Sequence, residues 1–182
     1  MPTALVLLAP GFEEIEAVTV IDLLRRAGVE VTVAGLEKEL VTGSHGIAIK
    51  PDVYYRDVNA MDFDVLILPG GQPGTDHLKS NPQVLEWVRK RFETRKPLAA
   101  ICAAPTVFHQ AGIAKDLRLT SYPSEKEVFT HSTYLEKDVV KDGLVVTSRG
   151  VGTAIEFSLA LIEELAGKEK AKEVAERILF VK

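Results

Sequence analysis

Lys96-Pro97-Leu98-Ala99-Ala100-Ile101-Cys102-Ala103-Ala104-Pro105-Thr106 is the stretch on which the reading of the fold turns. Leu98 to Ile101 form a short apolar run after a proline, as a strand buried on both faces does. Ala103 to Gln110 read as a helix, with Pro105 in the first turn, where a missing N–H is tolerated. Cys102 therefore falls at a sharp strand-to-helix junction, the geometry of a nucleophile elbow. Small neighbours, Ala103 and Ala104, permit such a turn, and the helix aims its free N–H groups at the sulfur, which favours thiolate over thiol. A second reading stays open here, because a lone cysteine in an apolar run is also a small core hydrophobe.

Working outward, the pattern repeats. Ala4 to Ala9 is a continuous apolar run, read as a central parallel strand, and Pro10-Gly11 end it. A helix follows from Phe12 to about Ala27, with Ile15, Val18, Ile21, Leu23 and Leu24 at near-helical spacing and Gly28 as its stop. Val29 to Ala34 is the second strand, Val41 to Lys50 an irregular excursion with a short strand near Ile47 to Ile49, and Val53 to Asp62 a loop or a short turn. Asp64 to Leu68 is another buried strand, ending in Gly70-Gly71. The next helix is capped at Ser80 or Asn81, with Val84, Leu85, Val88 and Phe92 inward. Leu117 to Ser121 reads as a short strand, and Pro123 to Lys137 as a polar segment with a short helix. Asp142-Gly143 between apolar β-branched runs marks a hairpin closing on Leu144 to Ser148. Thr153 to Leu165 and Glu169 to Leu179 are the last helices.

Strands alternating with helices predict an α/β fold, a three-layer sandwich on a mostly parallel sheet. The absence of repeats and linkers predicts one domain over residues 1–182. A formal net charge of -4 gives no strong nucleic-acid signal. One cysteine excludes a disulfide framework, and no apolar run has the roughly 20 residues of a spanning helix, so a cytoplasmic protein without membrane contact is expected. None of His45, His77, His109 and His131 pairs at a metal-ligand spacing, so neither a metal nor a cofactor is expected.

Sheets of this kind bind ligands beyond the carboxyl ends of their strands. Four features gather there: Pro10 to Glu16, Gly70-Gly71, Cys102, and Arg149-Gly150. That convergence favours the reactive reading of Cys102. For Glu16 the bland alternative is that it complements the helix dipole, as Glu13 and Glu14 do.

The same residues resemble the ThiJ/PfpI superfamily, most closely its parkinsonism-associated deglycase branch. The resemblance rests on Gly11-Phe12-Glu13-Glu14-Ile15-Glu16, Arg25-Arg26-Ala27-Gly28, Val31 to Gly35, Leu68-Pro69-Gly70-Gly71, Ala100 to Pro105 and Leu144 to Gly150, in order along nearly the whole chain. It implies a flavodoxin-like sandwich and a homodimer. It places the reactive cysteine at Cys102, its carboxylate partner at Glu16, and the backbone donors of an oxyanion-hole-like pocket at Gly71 and Ala103. Arg26 matches an arginine that reaches the partner subunit's pocket, with Asp22 beside it. The chain departs from the branch at three positions: Tyr122 stands for a pocket histidine, His45 for an arginine near the dimer interface, and Val151 for a pocket proline. With no imidazole at position 122, acid–base work falls to Glu16 or to Cys102 itself.

The expected function is a cofactor-free glyoxalase or deglycase acting on a small aldehyde or glycated substrate through the Cys102 thiolate. The alternative is a cysteine-based oxidant sensor or redox-regulated chaperone without turnover. A cysteine peptidase ranks lower, since relatives with that activity carry histidine directly after the nucleophile and here that residue is Ala103.

Overall fold

The computed structural model describes residues 1–180. In chain order the elements are β1 (Thr3–Leu8), α1 (Glu14–Arg26), β2 (Glu30–Gly35), β3 (Val41–Thr42), β4 (Ala48–Ile49), β5 (Val53–Tyr54), β6 (Val65–Leu68), α2 (Gly74–Lys79), α3 (Pro82–Glu93), β7 (Leu98–Ile101), α4 (Pro105–Gln110), β8 (Arg118–Leu119), β9 (Thr133–Tyr134), β10 (Val139–Asp142), β11 (Val145–Ser148), α5 (Ala154–Ala166) and α6 (Lys168–Arg177). Seven strands form the main sheet in the order β10-β11-β7-β6-β1-β2-β5. All its pairings are parallel except the β10–β11 hairpin. With helices on both faces, this is the expected flavodoxin-like three-layer sandwich.

Alternation along β1 builds both cores. Ala4, Val6 and Leu8 face α1 and α5, meeting Val20, Leu24, Phe157 and Leu161, while Leu5 and Leu7 face α3 and α4, meeting Val84, Trp87, Val107 and Phe108. Burial on both sides is why β1, β6 and β7 read as unbroken apolar runs.

Four expectations are corrected. Val53 to Asp62 opens with a strand that was not foreseen: Val53–Tyr54 pairs in parallel with β2 at the sheet edge, too short for periodicity to reveal, while the two 3-10 turns that follow at Tyr55–Asp57 and Ala60–Asp62 fit the turn reading. Helix α2 was not foreseen, since Gly74 and polar residues mask it. The inward face of α1 is rotated from the one read: Glu14, Glu16, Ala17, Val20, Leu23 and Leu24 are buried, while Ile15 and Val18 stay 54% and 48% exposed. The same rotation effect occurs in α3, where Trp87 and Arg91 lie inside and Phe92 lies out. Asn81 rather than Ser80 caps α3, its side chain accepting from the Gln83 and Val84 N–H groups.

Candidate active site

β1, β6, β7 and β11 run parallel and present their carboxyl ends along one edge, and the chain breaks after each. β7 ends at Ile101, and Cys102 follows with φ +66, a left-handed conformation that costs a non-glycine residue about 1–2 kcal/mol. It is held there from both sides: the Cys102 N–H donates to Ser148 O at 3.0 Å, and its carbonyl accepts from the Tyr122 N–H at 2.7 Å. The elbow read from sequence is therefore present, although α4 begins two residues later than expected, at Pro105.

Glu16, in the first turns of α1, is 1% exposed and points under the elbow. The Gly70 N–H donates to its Oε2 at 2.9 Å, and its carboxyl group lies beside the Cys102 side chain. A methyl group on Gly70 would sit 2.6 Å from Cys102 Cβ and 2.8 Å from Glu16 Oε2, so only glycine lets the three groups meet. The N–H groups of Gly71 and Ala103 lie near the sulfur and favour its charged form. Gly71 has φ +92 and its missing side chain would strike the backbone of Phe12 and Glu13, which locks this donor in place.

Burial pushes the Glu16 carboxyl up to about 7, against the opposing hydrogen bonds from Cys102 and Gly70, and the charge of Glu13 adds to the rise. The thiol was expected to be depressed by the helix N-terminus. Instead burial, then the charge and hydrogen bond of Glu16, push it up, and the N–H groups of Ala103 and Gly71 only partly offset this. Two acids in contact in a desolvated site carry at most one negative charge between them near neutral pH.

The raised Glu16 value has a consequence for stability. A carboxyl whose folded value, about 7, exceeds its ordinary 4.5 contributes stability that is complete below pH 4.5 and lost as pH rises through 7. The shift of 2.5 (7 − 4.5) corresponds to roughly 3 kcal/mol. Glu16→Gln, which keeps an acceptor for Gly70, is expected to match wild type in urea unfolding near pH 4.5 and to exceed it by up to about 3 kcal/mol at pH 8. A difference independent of pH counts against this assignment.

The sulfur opens into a cavity of about 690 Å³ lined by Glu13, Gln72, Tyr122, Glu125, Arg149 and Val151 among others. Tyr122 is half-exposed at its mouth, and a methyl group added at Gly150 would meet its ring at 3.6 Å. Arg149 Nε lies 3.5 Å from Ser121 O. Gln72 and Glu125 were not foreseen, because nothing in their spacing marks them, and Glu13 was placed here only as part of the Pro10 to Glu16 stretch; all three arrive beyond the strand ends. Arg26 and Asp22 do not join Cys102 within this chain: they pair with each other at 2.7 Å, half-exposed, towards the far end of α1. His45 lies beside Glu14 rather than in the cavity. A larger cleft of about 1040 Å³ beyond β2 and β5, bounded by Tyr55, Arg56, His77 and Trp87, contains no cysteine.

The DJ-1/PfpI family pattern matches residues 2–164. The chain belongs to the DJ-1/PfpI family. It is similar to Protein dj-1beta of Drosophila melanogaster, at 48% identity over 97% of this chain and 96% of the relative. The crystal structure of Drosophila melanogaster DJ-1beta superposes with a TM-score of 0.96 at 47% identity, covering 100% of this chain and 99% of that one. Glutathione-independent glyoxalase DJR-1.2 of Caenorhabditis elegans is 38% identical over 99% of this chain and 97% of its own. A structure titled Toxoplasma gondii DJ-1, oxidized, has a TM-score of 0.96 at 36% identity, with both chains fully covered. Among the described residues no helix is long and apolar enough to cross a membrane.

Proposed function

We propose that this protein is a cofactor-free glyoxalase or deglycase that acts on methylglyoxal or its adducts through Cys102. The observation that carries the reading is the buried Glu16 carboxyl group beside the Cys102 side chain, at a strand-to-helix elbow on the wall of a cavity. The 38% identity to a protein named as a glutathione-independent glyoxalase supports it.

The chemistry follows from the shared charge. Moving the thiol proton to Glu16, whose pKa lies near neutrality, gives a thiolate beside a carboxylic acid. The thiolate adds to the aldehyde carbon of methylglyoxal, and Glu16 returns its proton to the new alkoxide, giving a neutral hemithioacetal. The N–H groups of Gly71 and Ala103 stabilise the oxyanion as it forms. Glu16, now a carboxylate, takes the hydrogen from that carbon as a proton and delivers it to the neighbouring carbon, while the hydroxyl proton passes from the first oxygen to the second. The product is a lactoyl thioester on Cys102. Water hydrolyses it to lactate and restores the thiol. With tyrosine at position 122, no imidazole is used. Incubating the protein with methylglyoxal and no glutathione is the test; lactate is expected, and its absence overturns the reading.

A second reading, an oxidant sensor in a reducing cytoplasm, is favoured by the oxidized Toxoplasma gondii relative. The donors around the sulfur suit sulfinate oxygens as well as an alkoxide, and the chain has no second cysteine to resolve a sulfenate. Mild peroxide should then add two oxygens to Cys102 by mass spectrometry; an unmodified thiol rejects it.

The exposed Ile15 and Val18 on α1 support a homodimer that buries this face. Light scattering is expected to give the mass of two chains, and Val18→Asp that of one; a monomeric wild type refutes the proposal.

A further inference from the structure

We propose that Tyr122 is a specificity-determining residue of the Cys102 cavity, and that its ring selects uncharged α-oxoaldehydes with an aromatic substituent over methylglyoxal. The inference rests on the function proposed above, in which an α-oxoaldehyde meets the thiol in this cavity. Size is the first observation. The cavity, about 690 Å³, lies within the range of roughly 300–1,000 Å³ that holds drug-sized ligands. A three-carbon dicarbonyl on the sulfur leaves most of it to water, so a larger substituent has room.

The second observation is that the walls differ. Glu13 and Gln72 follow β1 and β6 and form one side. Tyr122, Pro123 and Val151 stand over the ends of β7 and β11 and form the other. A hydrocarbon group laid against Glu13 strips water from a carboxylate, which is costly, whereas against Tyr122 and Pro123 it buries apolar surface. An anionic substituent is disfavoured too. Among the described lining residues Arg149 is the one cation, facing Glu13, Glu125 and Asp138. It is already engaged, with its Nε 3.5 Å from Ser121 O and the charge of Glu136 nearby.

The ring is positioned before any ligand arrives. The Tyr122 N–H donates to Cys102 O at 2.7 Å, which ties the residue directly to the elbow. Its carbonyl accepts from the Ser121 hydroxyl at 2.9 Å and from the Glu125 N–H at 3.0 Å. Pro123 follows and confines Tyr122 to extended backbone, with φ -58 and ψ 137. The backbone at Gly150 stops the ring on one edge, where an added methyl group would lie 3.6 Å from Cδ2. Tyr122 still keeps 50% of its surface exposed, so a ring with little freedom left to lose stays available to a ligand.

The test compares kcat/KM for phenylglyoxal with that for methylglyoxal, without glutathione, in wild type, Tyr122→Ala and Tyr122→Phe. The two aldehydes differ in intrinsic reactivity, but that factor is common to the three proteins and cancels when their ratios are compared. The phenylglyoxal-to-methylglyoxal ratio is expected to fall at least ~10-fold in Tyr122→Ala, through a higher KM for phenylglyoxal, and to stay near the wild-type value in Tyr122→Phe, which keeps the ring. A second readout needs no turnover. Cys102 is the only cysteine in the chain, so alkylation reports on it alone. Phenylpropanedione has no aldehyde hydrogen and is not isomerised by this route. It should protect Cys102 from iodoacetamide at a concentration at least ~10-fold lower than butanedione requires, and lose that advantage in Tyr122→Ala. Circular dichroism of both variants checks that they are folded. Selective protection without turnover of either aldehyde supports the inference and removes the glyoxalase reading. Turnover with a ratio unchanged by Tyr122→Ala, or equal protection by the two diketones, overturns the inference and leaves that reading standing. A ratio that falls as far in Tyr122→Phe also overturns it, because the hydroxyl rather than the ring would then select.

Discussion

Cys102→Ser is expected to lower methylglyoxal turnover by at least ~10³-fold, with the fold and the cavity intact. The hydroxyl occupies nearly the same space, but it is far less acidic than a thiol, and Glu16, at about 7, does not ionise it. Glu16→Gln is expected to lower turnover by ~10²–10⁴-fold, for a different reason. Gln still accepts from Gly70 and still fits beside Cys102, but it neither takes the thiol proton nor carries a proton from carbon to carbon. The two variants part in thiol alkylation. Removing the Glu16 charge relieves one of the causes that push the Cys102 thiol up, so Glu16→Gln should alkylate at lower pH than wild type while turning over more slowly. An enzyme in which alkylation and turnover fell together would mean that Glu16 holds the cysteine in place rather than moving protons. Lactate undiminished in Cys102→Ser would remove the sulfur from the mechanism.

What could be read from the chain beforehand follows the physics of each element. β1, β6 and β7 are buried on both faces, so their sequences are unbroken apolar runs and reveal the sheet. Cys102 was legible because a strand, a cysteine, two alanines and a proline together describe an elbow. Glu16 was harder: three acidic residues share the first turns, and only tertiary packing decides that Glu16 goes under the sulfur, Glu14 under the 43–47 loop, and Ile15 into solvent. Helical spacing predicted the opposite face, because the apolar signal of Ile15 and Val18 faces away from this chain's core. The donors at Gly71 and Ala103 are backbone groups, which no residue type announces; the family resemblance supplied them. Asp22 and Arg26 form a local pair, and their expected role depends on a second chain.

Arg91→Met is expected to cost about 3–5 kcal/mol. Arg91 is 0% exposed on α3, inside the layer that helical periodicity assigns to hydrophobic residues. Its guanidinium donates to Ala60 O at 2.5 Å, Phe63 O at 2.9 Å, Asp64 O at 2.7 Å and Pro97 O at 3.1 and 2.9 Å. These carbonyls belong to the chain entering β6 and β7, the strands whose far ends carry Gly70 and Cys102. Burial lowers the pKa of Arg91 to about 10, still well above neutrality, so the side chain remains charged and five N–H vectors stay fixed. Methionine has a similar reach and no donors. Pro97 O would keep the Leu66 N–H at 3.3 Å, but Ala60, Phe63 and Asp64 would lose the guanidinium, at about 1–3 kcal/mol for each carbonyl left dry. Escape from desolvating a charge returns part of that loss. For a chain of this length the net effect is a fall of roughly 10 °C or more in melting temperature. Arg91→Lys should fall between, since one ammonium cannot span contacts that a planar fork makes. The exposed neighbour Lys90→Met should leave the melting temperature almost unchanged. If Arg91→Met melted within about 3 °C of wild type, the buried guanidinium would not be what joins the entries of the two strands that build the site.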